Sequence, residues 1–178
     1  MTPESIRNAI LLIFMIIAAA LFLSPFFEPS GTFRMLDGSV GVMDHSDLWG
    51  SVNSFSGSVY ALGDALCHQM ESRSLMLNGS QMAFCVRDVF NILGMIAGLV
   101  ATFFIPKDFV RQKKMWLIIA VLAIPTFIDW GAQYAFDLNV MFTTATTALM
   151  LGFAIAMTLW KLLLKMFDDI LFGKPESA

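Results

Sequence analysis

The sequence predicts an all-α integral membrane protein, with four transmembrane helices and one long extracytoplasmic segment holding an amphipathic helix and a small β-hairpin. Composition is the first reason. Hydrophobic residues make up 57% of the 178 residues and charged residues 14%, against about 25% charged in soluble domains. A chain of this length buries about 70% of its surface, too little to hide such a composition in a water-soluble globule. The second reason is four apolar stretches that reach the roughly 17–25 helical residues a bilayer core requires. The third is the placement of the few basic residues. A net charge of −3 gives no electrostatic reason to expect nucleic acid, and two cysteines do not make a disulfide-rich scaffold.

The first predicted span covers residues 9–27. Arg7 and the small residues Ala18, Ala19 and Ala20 also fit a secretory signal. Leu21, Phe22, Leu23, Phe26 and Phe27 carry the apolar run past any cleavage point, so a retained helix is expected. The second span, 89–105, spaces Gly94, Ala97, Gly98 and Ala101 so that another helix can approach closely. The third, 115–133, contains Pro125 and Asp129, and the fourth, 140–164, contains Thr143, Thr144, Thr146 and Thr147. Threonine hydroxyls of this kind bond back to their own helix. Lys107, Arg111, Lys113 and Lys114 mark the loop 106–114 as cytoplasmic, and Lys161, Lys165 and Lys174 mark the tail likewise. Both termini are then expected in the cytoplasm, and 28–88 outside.

Within 28–88, residues 32–36 and 39–43 read as strands joined by Asp37-Gly38, a dipeptide suited to a tight hairpin turn. Ser46 or Asp47 then opens a helix in which Leu48, Val52, Phe55, Val59, Leu62 and Leu66 form an apolar stripe opposite Ser51, Ser54, Ser58 and Asp64. That helix is expected to lie at the outer interface and cover the bundle. Asn78-Gly79-Ser80 matches the glycosylation acceptor pattern, which is short enough to arise by chance. His45, between Asp44 and Asp47, reads as an exposed turn residue.

Chemistry concentrates in Cys67-His68-Gln69, Arg73-Ser74 and Cys85-Val86-Arg87-Asp88, with Asp129, Gln133 and Asn139 near the outer ends of the third and fourth spans. An ionisable residue in a span normally has a partner, so Asp129 is expected to pair with Arg87 or Arg73. Cys67, His68, Cys85 and a carboxylate from Asp88 or Asp129 are a ligand set for a zinc or iron ion. Adjacent helical residues point about 100° apart, so Cys67 and His68 can share an ion only if the helix ends there. The simplest alternative is a Cys67–Cys85 disulfide, worth about 3 kcal/mol for such a loop in the chain-entropy model. Arg73 and Arg87 are candidates to clamp an anion, unless they pair with Asp88, Glu71 or Asp129. His68, Asp88 and Asp129 are the candidates for handling protons, and Gln69, Ser74, Gln133 and Asn139 read as structural polar groups.

These motifs, followed by the glycine-spaced helix and Pro125, Asp129 and Gln133, resemble a family of small prokaryotic integral membrane proteins of unknown function, over about residues 60–155. The resemblance implies a membrane fold and no particular reaction. Many relatives carry a further cysteine where Asp88 stands, and commonly a glycine where this chain has Trp130. Three function classes follow: a metal-binding or thiol-redox protein, an enzyme acting on a phosphorylated or anionic lipid, and an accessory or structural subunit of a membrane protein partner with a Cys67–Cys85 disulfide. No Cys-x-x-Cys pair, Walker loop or Asp-rich prenyl-transferase motif is present to support the enzyme, and the metal or thiol reading is preferred.

Overall fold

The computed structural model of the chain describes residues 2–136 and 140–172, so Asn139 and Lys174 lie outside the described residues. Helix α1 spans Pro3–Leu23 and opens on proline, at the one helical position where a missing N–H is harmless. It runs into a 3₁₀ turn, Ser24–Phe27. Helices α2 (Ser46–Ser51) and α3 (Ser54–Leu66) follow, then the strands β1 (Met76–Leu77) and β2 (Ser80–Gln81), paired antiparallel. The chain continues with α4 (Val86–Ala101), α5 (Lys107–Arg111), α6 (Lys114–Phe136) and α7 (Met141–Phe172).

Among the described residues, three helices are long and apolar enough to cross a membrane: Pro3–Phe27, Lys114–Phe136 and Met141–Ile170. The second expected span coincides with α4, whose 16 residues give about 24 Å of helix against a hydrocarbon core of about 30 Å.

The chain divides into two compact units. In the first, made of Met1–Met15, Asn91–Leu138 and Thr146–Ala178, α7 carries the core. Its Ala154, Met157, Trp160 and Leu164 pack with Val110, Met115 and Ile119 of α5 and α6. The glycine spacing expected in the second span is used here. A Cβ on Gly94 would stand 2.2 Å from the Leu149 carbonyl oxygen, and one on Gly152 would stand 2.1 Å from that of Asn91. Only bare backbone permits such an approach between α4 and α7. Ala97, in contrast, is exposed. Lys161, expected as a topology-setting charge, is buried, and its ammonium donates to the carbonyls of Val110 (2.7 Å) and Gln112 (3.0 Å).

The second unit comprises Ile16–Phe90 and Asn139–Ala145. Its core is Phe33, Leu36, Trp49, Tyr60 and Ala83, with the Phe33 ring stacked on Tyr60 at 3.8 Å.

Three expectations for the outer segment are corrected. Residues 32–43 form no strand. Their backbone groups bond to other segments, the Gly38 N–H to the His68 carbonyl (3.0 Å) and the Gly41 N–H to that of Ala65 (2.9 Å). The hairpin instead turns at Asn78-Gly79, where φ values of 51° and 66° are the pair of left-handed conformations a type I′ turn requires. The Asn78 amide nitrogen donates to the carbonyls of Pro25 (2.9 Å) and Glu28 (3.1 Å), a structural use for a residue also read as a glycosylation acceptor. The amphipathic helix is broken into α2 and α3 at Val52-Asn53, because the Asn53 side chain caps a new helix by accepting from the Phe55 N–H. Its packing face is also turned. Ser56, Gly57, Tyr60, Gly63 and Asp64 face inward, while Phe55, Leu62 and Leu66 are exposed. Gly57 and Gly63 draw that face in, since a Cβ on either would lie 2.4 Å and 2.0 Å from the carbonyl oxygens of Trp49 and Ala83.

Candidate functional site

Helix α3 ends at Cys67, which is extended (φ −137°, ψ 151°) while its N–H still bonds to the Gly63 carbonyl at 2.8 Å. Beyond it the chain reverses at Gln69, a non-glycine residue at φ +46°. Such a conformation is strained and persists only where side-chain bonds hold it. Gln69 is fully buried, and its amide donates to the carbonyls of Tyr60 (3.2 Å) and Ala83 (2.9 Å). It thereby ties the segment after Cys67 to the segment before Cys85. Its main-chain carbonyl accepts from the Gln81 amide, whose oxygen in turn accepts from the Leu36 N–H (3.2 Å). The Ser74 hydroxyl donates to the Met70 carbonyl at 2.9 Å and closes the loop between the two amides.

Cys85 stands at the N-terminal edge of α4, its carbonyl accepting the Val89 N–H (3.1 Å). Asp88 lies in the first turn, where a negative charge suits the helix dipole. The frame brings together Cys67, Cys85 and Asp88, with one ligand atom from each lying within 4.8 Å of the others. The two cysteines approach to 3.7 Å and both are free thiols. The Cys85 N–H points at the Cys67 sulfur (3.3 Å), and the Cys85 thiol reaches the Asp88 carboxylate at 3.1 Å. Cys67 is buried and Cys85 and Asp88 are half-buried.

The electrostatics separate the two sulfurs. The neighbouring Cys85 side chain holds the Cys67 pKa below the usual thiol range despite burial, with help from the N–H groups of Gln69 and Cys85. Cys85 is pushed up by the neighbouring Cys67 sulfur, by burial and by the charge of Asp88. Cys67 is therefore the more readily deprotonated sulfur of the pair.

His68 is exposed and is not part of the gathered donor group. Arg73 is half-buried, with no side-chain hydrogen bond among the described residues, and Glu71 pairs with Arg34 at 3.2 Å instead. Arg87 is half-buried in the first turn of α4. Asp129 belongs to the first unit, where its carboxylate accepts from Gln133 one turn later on α6 at 2.7 Å.

Four residues carry the architecture without having been singled out for it. Gln81 and Tyr60 are fully buried, and the Tyr60 hydroxyl, its pKa raised by burial, donates to the Gln81 carbonyl. Asp64, assigned to a polar face, is fully buried and accepts from the Trp49 indole (2.8 Å) and the His45 N–H (3.0 Å). Burial raises its pKa, but those bonds and one from the Asp44 N–H outweigh it and leave the carboxyl below its ordinary range. His45 is half-buried, with Nδ1 3.6 Å from Asp64 Oδ1, so it is not the exposed turn residue expected. The Asn-Gly dipeptide was the available signal for this frame, because it fixes a turn that delivers Gln81 to the core.

A family model described as "Predicted membrane protein (DUF2085)" matches residues 67–162, a stretch that begins at Cys67 and includes Cys85 and Asp88. An uncharacterized protein of Methanocaldococcus jannaschii is 32% identical over 126 residues, 70% of each chain. No solved structure matches.

Proposed function

Because the chain belongs to the family of predicted membrane proteins DUF2085, we propose that it is a multi-pass cell-membrane protein that holds a zinc or iron ion at Cys67, Cys85 and Asp88. The observation that carries this reading is the gathering of two sulfurs and a carboxylate within 4.8 Å. Two thiolates at about 2.3 Å from a tetrahedral ion stand roughly 3.7–3.8 Å apart, and the cysteines approach to 3.7 Å. Three protein ligands leave one position for water or a substrate atom, which is how catalytic and carrier sites differ from closed structural ones. Asp88 takes the position where the resemblance leads one to expect a cysteine, so a harder oxygen donor replaces one soft sulfur.

The proposed topology has four spans, both termini in the cytoplasm and the site outside. Helix α4 becomes the short span when the turn 102–105 is added, since the Ile105 N–H bonds to the Ala101 carbonyl (3.1 Å) and 20 residues give about 30 Å. The basic loop 106–114 supports that orientation.

A second reading is favoured by the Cys85–Cys67 hydrogen bond. The pair would reduce a partner disulfide: the Cys67 thiolate attacks, Cys85 resolves the mixed disulfide, and two protons and two electrons pass to the partner, which leaves as a dithiol. Metal analysis and thiol trapping on one detergent-purified sample decide between them. Stoichiometric metal, lost in Cys67→Ser and Cys85→Ser and weakened in Asp88→Asn, is the expected result. Well-folded native protein that takes up no zinc or iron, with thiols that become resistant to alkylation only after exchange with a small disulfide, would replace the metal reading with the redox one.

A further inference from the structure

The first unit holds a buried charge that the thiol site does not use. Arg7 is 7% exposed, although an arginine near the end of a span ordinarily extends its head to the aqueous interface. Its guanidinium turns inward, 3.6 Å from the Phe103 ring centroid and 5.2 Å from that of Trp160. Its hydrogen bonds go to neutral acceptors, Asn8 Oδ1 (2.9 and 3.1 Å) and Thr102 Oγ1 (3.5 Å). The acid one turn away, Glu4, is taken by Lys107. Among the described residues no carboxylate pairs with Arg7. Beside it the indole N–H of Trp160, a side chain 1% exposed, has no acceptor among the described residues.

The two residues border a cavity of about 350 Å³ whose surface is almost wholly apolar and includes Ile10, Leu99, Leu159, Leu163 and Met166, with the guanidinium and the indole N–H buried behind it. That volume lies within the range of small-molecule sites, which are apolar pockets with a few convergent polar groups. A buried cation and a buried unused donor both call for a negatively charged oxygen. The wall beyond them calls for hydrocarbon.

We propose that this cavity binds an anionic amphiphile, a lipid whose phosphate or carboxylate head lies between Arg7 and Trp160 and whose chain runs along Leu99, Leu159 and Leu163. The proposal is independent of the thiol reading, because it uses none of Cys67, Cys85 and Asp88. Free phosphate shares the head chemistry but leaves the aliphatic wall unused.

The test is native mass spectrometry of the full chain in detergent, titrated separately with dioleoyl phosphatidylglycerol, dioleoyl phosphatidylcholine and inorganic phosphate. The first phosphatidylglycerol adduct is expected to form roughly tenfold more tightly than the phosphatidylcholine adduct, as for a buried charge-assisted contact. Arg7→Gln brings the ratio to about one, and Trp160→Phe, which keeps a ring and removes the N–H, lowers phosphatidylglycerol affinity about threefold and leaves phosphatidylcholine unchanged. Equal affinity of the native protein for the two lipids overturns the proposal. A preference that survives Arg7→Gln also overturns it, as does inorganic phosphate that displaces phosphatidylglycerol at equal concentration. The native head-group comparison and Trp160→Phe carry the test even where Arg7→Gln does not fold.

Discussion

The two units solve the same packing problem with opposite materials. Around α7, helices meet over Met157, Trp160 and Leu164 and over the glycine contacts of Gly94 and Gly152. Around α3, segments meet over Gln69, Gln81, Tyr60 and Asp64, all fully buried. An apolar seam asks only for volume and small residues at the right spacing, so neighbouring registers are nearly as good. A buried polar frame asks for a partner at every donor and acceptor, which makes one arrangement much better than its competitors. The unit that carries the thiols is the one held by the more specific material.

The largest expected effect compares two glycines with no clearance. A Cβ on Gly63 would fall 2.0 Å from the Ala83 carbonyl oxygen and 2.6 Å from the Gln69 amide, the atoms that set the cysteine separation. Gly63→Ala is expected to destabilise its unit by about 3 kcal/mol, at the upper end of overpacking penalties. Cys67 should then react rapidly with iodoacetamide while far-ultraviolet helicity is largely retained. Gly94→Ala has a similar clash, 2.2 Å from the Leu149 carbonyl oxygen, yet should leave the thiols protected. If both variants expose Cys67 equally, the two units do not respond separately.

Next in size is the contrast between a buried amide and a buried thioether. Gln81→Leu keeps the volume but strands the Leu36 N–H and carbonyl and the carbonyl of Gln69. At about 1–3 kcal/mol per stranded group, partly relieved by relaxation, a loss of about 3 kcal/mol is expected. Met157→Leu in the other core should cost under about 1.5 kcal/mol. Thermal melts in detergent, followed by Trp49 emission for the first variant and by helicity for the second, provide the comparison.

The sequence disclosed the apolar unit more readily than the polar one, for a physical reason. Hydrophobic length and glycine spacing are periodic, so the long helices and the Gly94 and Gly98 positions could be read directly. A hydrogen-bonded core has no period. Asp64 sits on the polar side of a helical wheel and is nonetheless buried, because its Oδ2 accepts from Trp49 and His45 at distant positions. The same logic misplaced the hairpin. Asp37-Gly38 and Asn78-Gly79 are comparable turn signals, and tertiary bonds to His68 and Ala65 decided against the first. Of the chemistry, Cys67 and Cys85 were evident as a pair, and the gathering of Asp88 with them needed the chain reversal at Gln69.

Acid provides a third comparison. The Asp64 pKa is held below its ordinary value although burial raises it, because the Trp49 indole and the His45 and Asp44 N–H groups outweigh the cost of burial. A carboxyl depressed in the folded state contributes stability that is complete above its unfolded pKa and is lost as pH falls through the lower, folded value. The second unit is therefore expected to loosen below the ordinary aspartate range, seen as a change in Trp49 emission. Asp64→Asn should melt lower at neutral pH by about 1–2 kcal/mol, one charged hydrogen bond's worth, and should lose much of that acid sensitivity. An unchanged acid transition in Asp64→Asn would assign it to other carboxyls.

The smallest effect belongs to the surface, where the materials of the two units no longer differ. Arg34 and Glu71 pair at 3.2 Å with side chains 59% and 35% exposed, in a setting where solvent and salt screen the attraction. Arg111 and Asp168 in the first unit are held by two parallel bonds, 2.8 and 2.9 Å, a fork geometry that resists screening better than a single contact. Arg34→Gln is expected to change stability by less than about 0.5 kcal/mol and Arg111→Gln by up to about 1 kcal/mol. Both effects should shrink in 0.5 M salt, measured by the same melts. A loss in Arg34→Gln as large as that in Gln81→Leu would mean that the second unit depends on its exposed charges as much as on its buried amides. The ranking of polar frame over surface pair would then fail where it is easiest to check.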